Sequence, residues 1–76
     1  MYRLTCNSRN FNEHYESEDF GDVANYLRGV LQGLVLLGAE DLEQKSFAEE
    51  RPARLQVTCR LNNEDRQYIF LLEHID

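Results

Sequence analysis

Cys6, Cys59, His14 and His74 carry the most versatile chemistry in this 76-residue chain. Thiolates and imidazoles bind zinc and act as nucleophiles and general bases. Their spacing supports neither role. No Cys-x-x-Cys occurs, and no histidine pair sits at helical spacing. His14 beside Glu13 and Glu16, or Cys59 with His74, can be drawn as reactive pairs, but no motif surrounds them. Gly-x-Ser-x-Gly, a phosphate loop and a dinucleotide glycine pattern are all missing from the sequence. The sequence therefore predicts no catalytic residue, no metal and no cofactor. Two buried thiols in a reducing cytoplasm are expected; a disulfide would require the two cysteine strands to be neighbours.

The remaining chemistry is charge. There are 14 acidic and 8 basic residues, for a net charge of −6. That balance disfavours direct binding to a nucleic-acid backbone, which needs clustered cations. It favours attraction to basic protein surfaces. Seven of the basic residues are arginine and only Lys45 is lysine. Carboxylates gather in two places. Glu40, Asp41, Glu43, Glu49 and Glu50 lie in the stretch 39–52, and Glu16, Glu18 and Asp22 lie just before and within the first turn of a helix. These eight residues are the candidate partner-binding set. A small outward patch of Arg3, Thr5, Gln56, Thr58 and Arg60 is possible if their strands share a face, with Tyr68 or Phe70 as its only stacking candidates.

These side chains must be positioned by a few elements. Phe20, Val23, Ala24, Leu27, Leu31, Leu34 and Val35 recur at the spacing of one helical face. Asp19 is a suitable N-cap and Gly38 a suitable stop. Tyr26, Val30, Leu36 and Leu37 fall off that stripe, with Gly29 and Gly33 among them. Interior helix glycines cost about 1 kcal/mol each relative to alanine, so they call for a close approach to the backbone. Packing on the chain's own sheet is one such approach. Self-association through Tyr26, Gly29, Val30 and Gly33 is the other.

Tyr2 to Asn7 alternates as a half-buried strand, with Tyr2, Leu4 and Cys6 inward. Phe11 to Ser17 reads as an acidic edge strand after the turn Asn7–Asn10. Arg54 to Leu61 alternates cleanly, with Leu55, Val57, Cys59 and Leu61 inward. Asn62–Asp65 is a hairpin turn, and Arg66 to Ile75, apolar on both faces, reads as a central strand. The stretch 39–52 has no clear period and is expected to be a loop, with Leu42 and Phe47 anchoring short helical turns. The expected fold is α+β: one domain over residues 1–76, with an antiparallel sheet of three to four strands in the order β-β-α-β-β. One long amphipathic helix covers one face. No apolar run is long enough to span a membrane, and the first residues show no leader core.

The layout of Tyr2–Asn7, Asn7–Asn10, Phe20–Leu37 and Arg54–Ile75 resembles that of small phage-encoded inhibitors of the anti-CRISPR type. The resemblance implies a viral inhibitor working in the host cytoplasm, which binds a nucleic-acid-binding surface of a larger complex without catalysis. The expectation is thus a non-enzymatic, acidic protein-binding module for a partner with a basic surface. A homodimer or structural subunit using the apolar, glycine-bearing side of the helix is the alternative.

Overall fold

The computed structural model describes residues 1–8 and 11–75, with the side chain of Phe11 left aside. Five strands and one helix follow the order β1 (Tyr2–Ser8), β2 (Phe11–Ser17), α1 (Phe20–Leu36), β3 (Glu40–Phe47), β4 (Ala53–Leu61) and β5 (Glu64–His74). All strand pairs are antiparallel, and the sheet order is β2-β1-β5-β4-β3. The last strand of the chain is the central one, as its two apolar faces require. The expectation of three to four strands is corrected to five.

The missing strand is β3. It occupies most of the stretch expected to be a loop with helical turns, and it pairs along β4 from Ser46↔Leu55 to Glu43↔Thr58. Its side chains are mostly exposed. It has almost no apolar pattern to read, and it is held by the backbone of its neighbour. The tight link to β4 follows Phe47, with a cis peptide at Arg51–Pro52 where the sequence predicts a helix end.

The turn between β4 and β5 is a two-residue connection. Asn62 (φ 54°) and Asn63 (φ 64°) both take the left-handed conformation. That pair of angles matches the twist of a hairpin, and asparagine tolerates it better than most residues.

Asp19 caps α1 by accepting the Gly21 amide at 2.8 Å. Gly38 (φ 97°) turns the chain away from the helix, a conformation costly for any residue with a Cβ. The core joins Leu4, Cys6, Val57, Cys59, Tyr68 and Phe70 of the sheet to Val23 and Leu34 of the helix. Leu27 and Leu31 pack half-buried against it.

The helix is rotated relative to the expected stripe. Phe20 is 51% exposed and Val35 60% exposed. Tyr26 and Val30, expected off the stripe, pack against the core instead. Tyr26 stacks on Tyr15 with ring centroids 4.4 Å apart and nearly parallel, and its hydroxyl donates to Glu13 at 2.9 Å. Phe20 keeps one contact, an edge-on approach to Tyr2. Close packing of the sheet against Gly29 and Gly33 does not occur. A Cβ at either position would meet nothing within 4 Å outside the helix's own adjacent backbone.

Cys6 and Cys59 face the same side of the sheet but lie on strands separated by β5. Cys6 is opposite Phe70 and Cys59 opposite Arg66, four residues apart along β5. Two strand spacings and that offset put the two Cα atoms on the order of 16 Å apart, beyond disulfide reach. Both thiols are free. Burial pushes Cys6 up to about 11 from an ordinary 9.0, against a weaker lowering by the Ile69 backbone. Cys59 is raised too, first by burial, with Arg66 opposing. A thiol whose folded value is raised favours the folded state below its unfolded value and loses that contribution as pH rises. For Cys6 the loss falls between pH 9 and about 11. Native protein at pH 7.5 should resist iodoacetamide at both cysteines, and its urea midpoint should fall steadily between those alkaline limits. Prompt alkylation of Cys6 without unfolding would contradict the packing.

Candidate functional site

The residues with reactive side chains are dispersed. His14 lies on β2, opposite Thr5, on the sheet face away from the helix. Its Nε2 is 2.7 Å from Glu16 Oε1, which also accepts from Arg3 Nε at 3.2 Å. The hydrogen bond from His14, then those from Arg3, hold the Glu16 carboxyl below its usual range. Glu13, the other expected neighbour of His14, points to the helix side and serves Tyr26. His74 lies opposite Tyr2, eight residues along β5 from the position facing Cys59. That is roughly 26 Å of strand, so Cys59 and His74 cannot act together. Among the described residues, no group of three His, Cys, Asp or Glu side chains is gathered to hold a metal.

A cleft of about 1020 Å³ opens at one end of the sandwich, beside Glu13, Tyr26, Gly33, Glu64, Arg66 and Tyr68. The sequence gives no sign of it, because it arises where the C-terminal half of α1 leaves the sheet. Two of its carboxylates are already engaged. Glu64 Oε2 accepts from Arg66 at 3.3 Å and Glu13 accepts from Tyr26. Burial, then the Glu13 hydrogen bond, raise the Tyr26 hydroxyl above its usual range, so it remains protonated at neutral pH. Arg66 Nε is buried with no partner. The cleft thus holds two paired carboxylates, Glu13 and Glu64, beside the unpartnered Arg66 Nε.

The outward patch is also rearranged. β1 and β4 are not neighbours, because β5 lies between them. By register, Ile69 and Leu71 of β5 separate Thr5 from Gln56 and Arg54. Arg3 is engaged by Glu16, and Arg54 by Glu50 at 3.1 Å and by the Phe47 ring at 4.1 Å. Tyr68 and Phe70 are buried on the helix side. The two aromatic residues expected to stack beside this patch are thus not on its face.

The eight candidate carboxylates are all exposed, and they fall into three groups. Glu16, Glu18 and Asp22 sit at the β2–α1 junction. Glu49 and Glu50 follow β3 at the same end of the sheet, but four strand spacings away, or about 19 Å. Glu40, Asp41 and Glu43 begin β3 at the opposite end. Several are already occupied: Glu16 by Arg3 and His14, Asp22 by Ser17, and Glu50 by Arg54. Among the described residues, Glu40, Asp41 and Glu43 make no ion pair or side-chain hydrogen bond. Arg60 lies across from Glu40 in register without bonding it.

Two features missed from sequence gather around this last group. Asp65 stands across Arg60 from Glu40, and Glu64 follows the same turn, so carboxylates of β3 and β5 flank Arg60 of β4 in register. Second, α1 ends here with Val35 60%, Leu36 88% and Leu37 70% exposed, and with no basic residue in its last turn. The negative pole of the helix adds to the surrounding carboxylates. Large aliphatic side chains this open, followed in the chain by Glu40 and Glu43 on the other face of the sheet, have the make-up of an apolar interface core with a charged margin.

Tyr26, Gly29, Val30 and Gly33 offer less to a second copy. Tyr26 and Val30 face the sheet, and Gly29 presents only bare backbone. No helix among the described residues is long and apolar enough to cross a membrane. No known protein family matches the chain, and neither the curated proteins nor the solved structures include a similar one.

Proposed function

We propose that the chain is a non-enzymatic protein-binding module that docks on a basic surface of a larger assembly, as an inhibitor of the anti-CRISPR kind would. The observation that supports this reading is that Leu36 and Leu37, largely exposed at the end of the helix, are followed within a few residues by the exposed carboxylates of Glu40, Asp41 and Glu43 on the free edge strand. Apolar area supplies affinity, and the carboxylates supply steering and partner choice. The occupied carboxylates, Glu16 and Glu50 in particular, contribute less, because a partner would have to displace Arg3 or Arg54. Free Cys6 and Cys59 suit a reducing compartment such as the cytoplasm.

The test uses the intact chain and the variant Glu40→Lys/Asp41→Lys/Glu43→Lys as parallel baits for purified candidate partners with basic grooves. Circular dichroism of the two should agree, since all three residues are exposed. Affinity of the variant should fall by at least about a hundredfold at low salt, and the salt dependence of binding should flatten. Equal affinity for the two baits would remove the reading. Concentration-dependent dimers of the intact chain in light scattering, lost on Leu36→Asp, would transfer the apolar end to self-assembly, the second reading that this exposure favours.

A further inference from the structure

The two edges of the sheet are built differently. On β2, the helix side is closed by the Tyr15–Tyr26 stack and the Tyr26–Glu13 hydrogen bond. On β3, it is open. A groove of about 490 Å³ runs between Leu42 and Gln44 of β3 and the helix residues Leu31, Val35 and Leu36, with Arg28 and Gln32 of the helix also on its wall. The outer edge of β3 pairs with no strand of the sheet. An edge that combines free backbone groups with an apolar trough on one face is the geometry that receives an extended peptide.

We propose that β3 accepts a sixth strand from its partner, an extended segment of alternating basic and aliphatic residues. This deepens the docking reading above and rests on it. The β-bulge between Glu40 and Glu43, with Asp41 at φ 52°, interrupts the edge, so the strand pairs along residues 43–47. Alternate aliphatic side chains of the guest enter the groove against Leu31, Val35 and Leu36. The basic ones lie on the other face beside Glu43, and the guest's continuation past the bulge meets Glu40 and Asp41. Lys45, also on that face, favours a guest with no cation directly opposite it.

A second copy of this chain fits less well. Centred on Gln44, an antiparallel self-pair would gain two Glu43–Lys45 pairs, but these are outweighed. It would also bring Glu40 and Asp41 of each copy toward Glu49 and Glu50 of the other, at both ends. Two molecules of net charge −6 add a general repulsion.

The experiment titrates the intact chain with the blocked peptide Lys-Val-Lys-Val-Thr-Val-Lys, its sequence-scrambled form, and two N-methylated forms that block alternate sets of amides. Only alternate guest amides face the host in a β-ladder, so one methylated form should bind like the parent, and the other about tenfold or more weaker. In parallel, backbone amides in 43–47 should gain exchange protection, and the methyls of Leu31, Val35, Leu36 and Leu42 should shift. Binding equally sensitive, or equally insensitive, to both methylation patterns would overturn strand addition. If that binding still vanished with Glu40→Lys/Asp41→Lys/Glu43→Lys, acidic docking would survive and only the strand mode would fall. Self-association that titrates the same amides in the absence of peptide would assign the edge to a second copy and overturn the proposal.

Discussion

Replacing Phe70 with alanine should cost about 3–5 kcal/mol and lower the urea midpoint by about a quarter or more. Phe70 is 1% exposed, on the central strand, directly between Cys6 of β1 and Leu55 of β4. Removing its ring opens a cavity at the one place where both halves of the sheet meet the helix. The cost is large relative to the margin. A domain of this size has roughly 4–11 kcal/mol of stability in total, and it buries only about 60% of the surface that its unfolded chain exposes. Urea titration followed by far-ultraviolet circular dichroism would measure the loss. A midpoint within about a tenth of the parent's would mean that the core is organised around some other residue.

The second large effect has the opposite sign. Gly29→Ala and Gly33→Ala together should stabilise the chain by about 2 kcal/mol, since each interior glycine costs about 1 kcal/mol relative to alanine. No neighbouring atom lies within 4 Å of either new methyl group, so nothing has to move. For a domain of this size the double variant should melt roughly 8–16 °C higher in a calorimeter. Destabilisation instead would show that the helix sits closer to another surface than the packing allows. If the double variant is stabilised yet binds its partner more weakly, the glycines keep the helix face bare for that partner.

The same helix shows what a sequence conveys and where it stops. Its limits were legible, because Asp19 and Gly38 act locally on the backbone. Its rotation was not. Apolar residues cover most of its circumference, from Val23 and Tyr26 round to Val35 and Leu36. Periodicity gives the width of such a band, whereas the sheet decides which part is buried. The sheet chose Tyr26 and Val30, through Tyr15 and Glu13, and left Phe20 and Val35 outside. The strands β1, β4 and β5 and the Asn62–Asn63 turn were legible from alternation and turn chemistry. β3 was not, because an edge strand with Leu42 on one face and Phe47 on the other has no period to detect. The acidic cluster at Glu40, Asp41 and Glu43 was visible as composition. Its union with Leu36, Leu37, Glu64 and Asp65 depends on three-dimensional placement, and so does the division of the other candidates into two remote groups.

The position of β5 carries a consequence for how the molecule comes into being. The last of the five strands in chain order is the one that β1 and β4 both pair with. Until residues 64–74 leave the ribosome, the nascent chain holds two separate β-ribbons with no common backbone and no finished interior. Tyr2 must wait for His74, and the carbonyl of Met1 for the amide of Ile75 at 2.8 Å. Contacts so distant in sequence slow the search for the native arrangement. Assembly of the sheet therefore waits for residues 64–74, and a fragment cut short before Glu64 has neither the seam that joins its halves nor the acidic turn that precedes that strand.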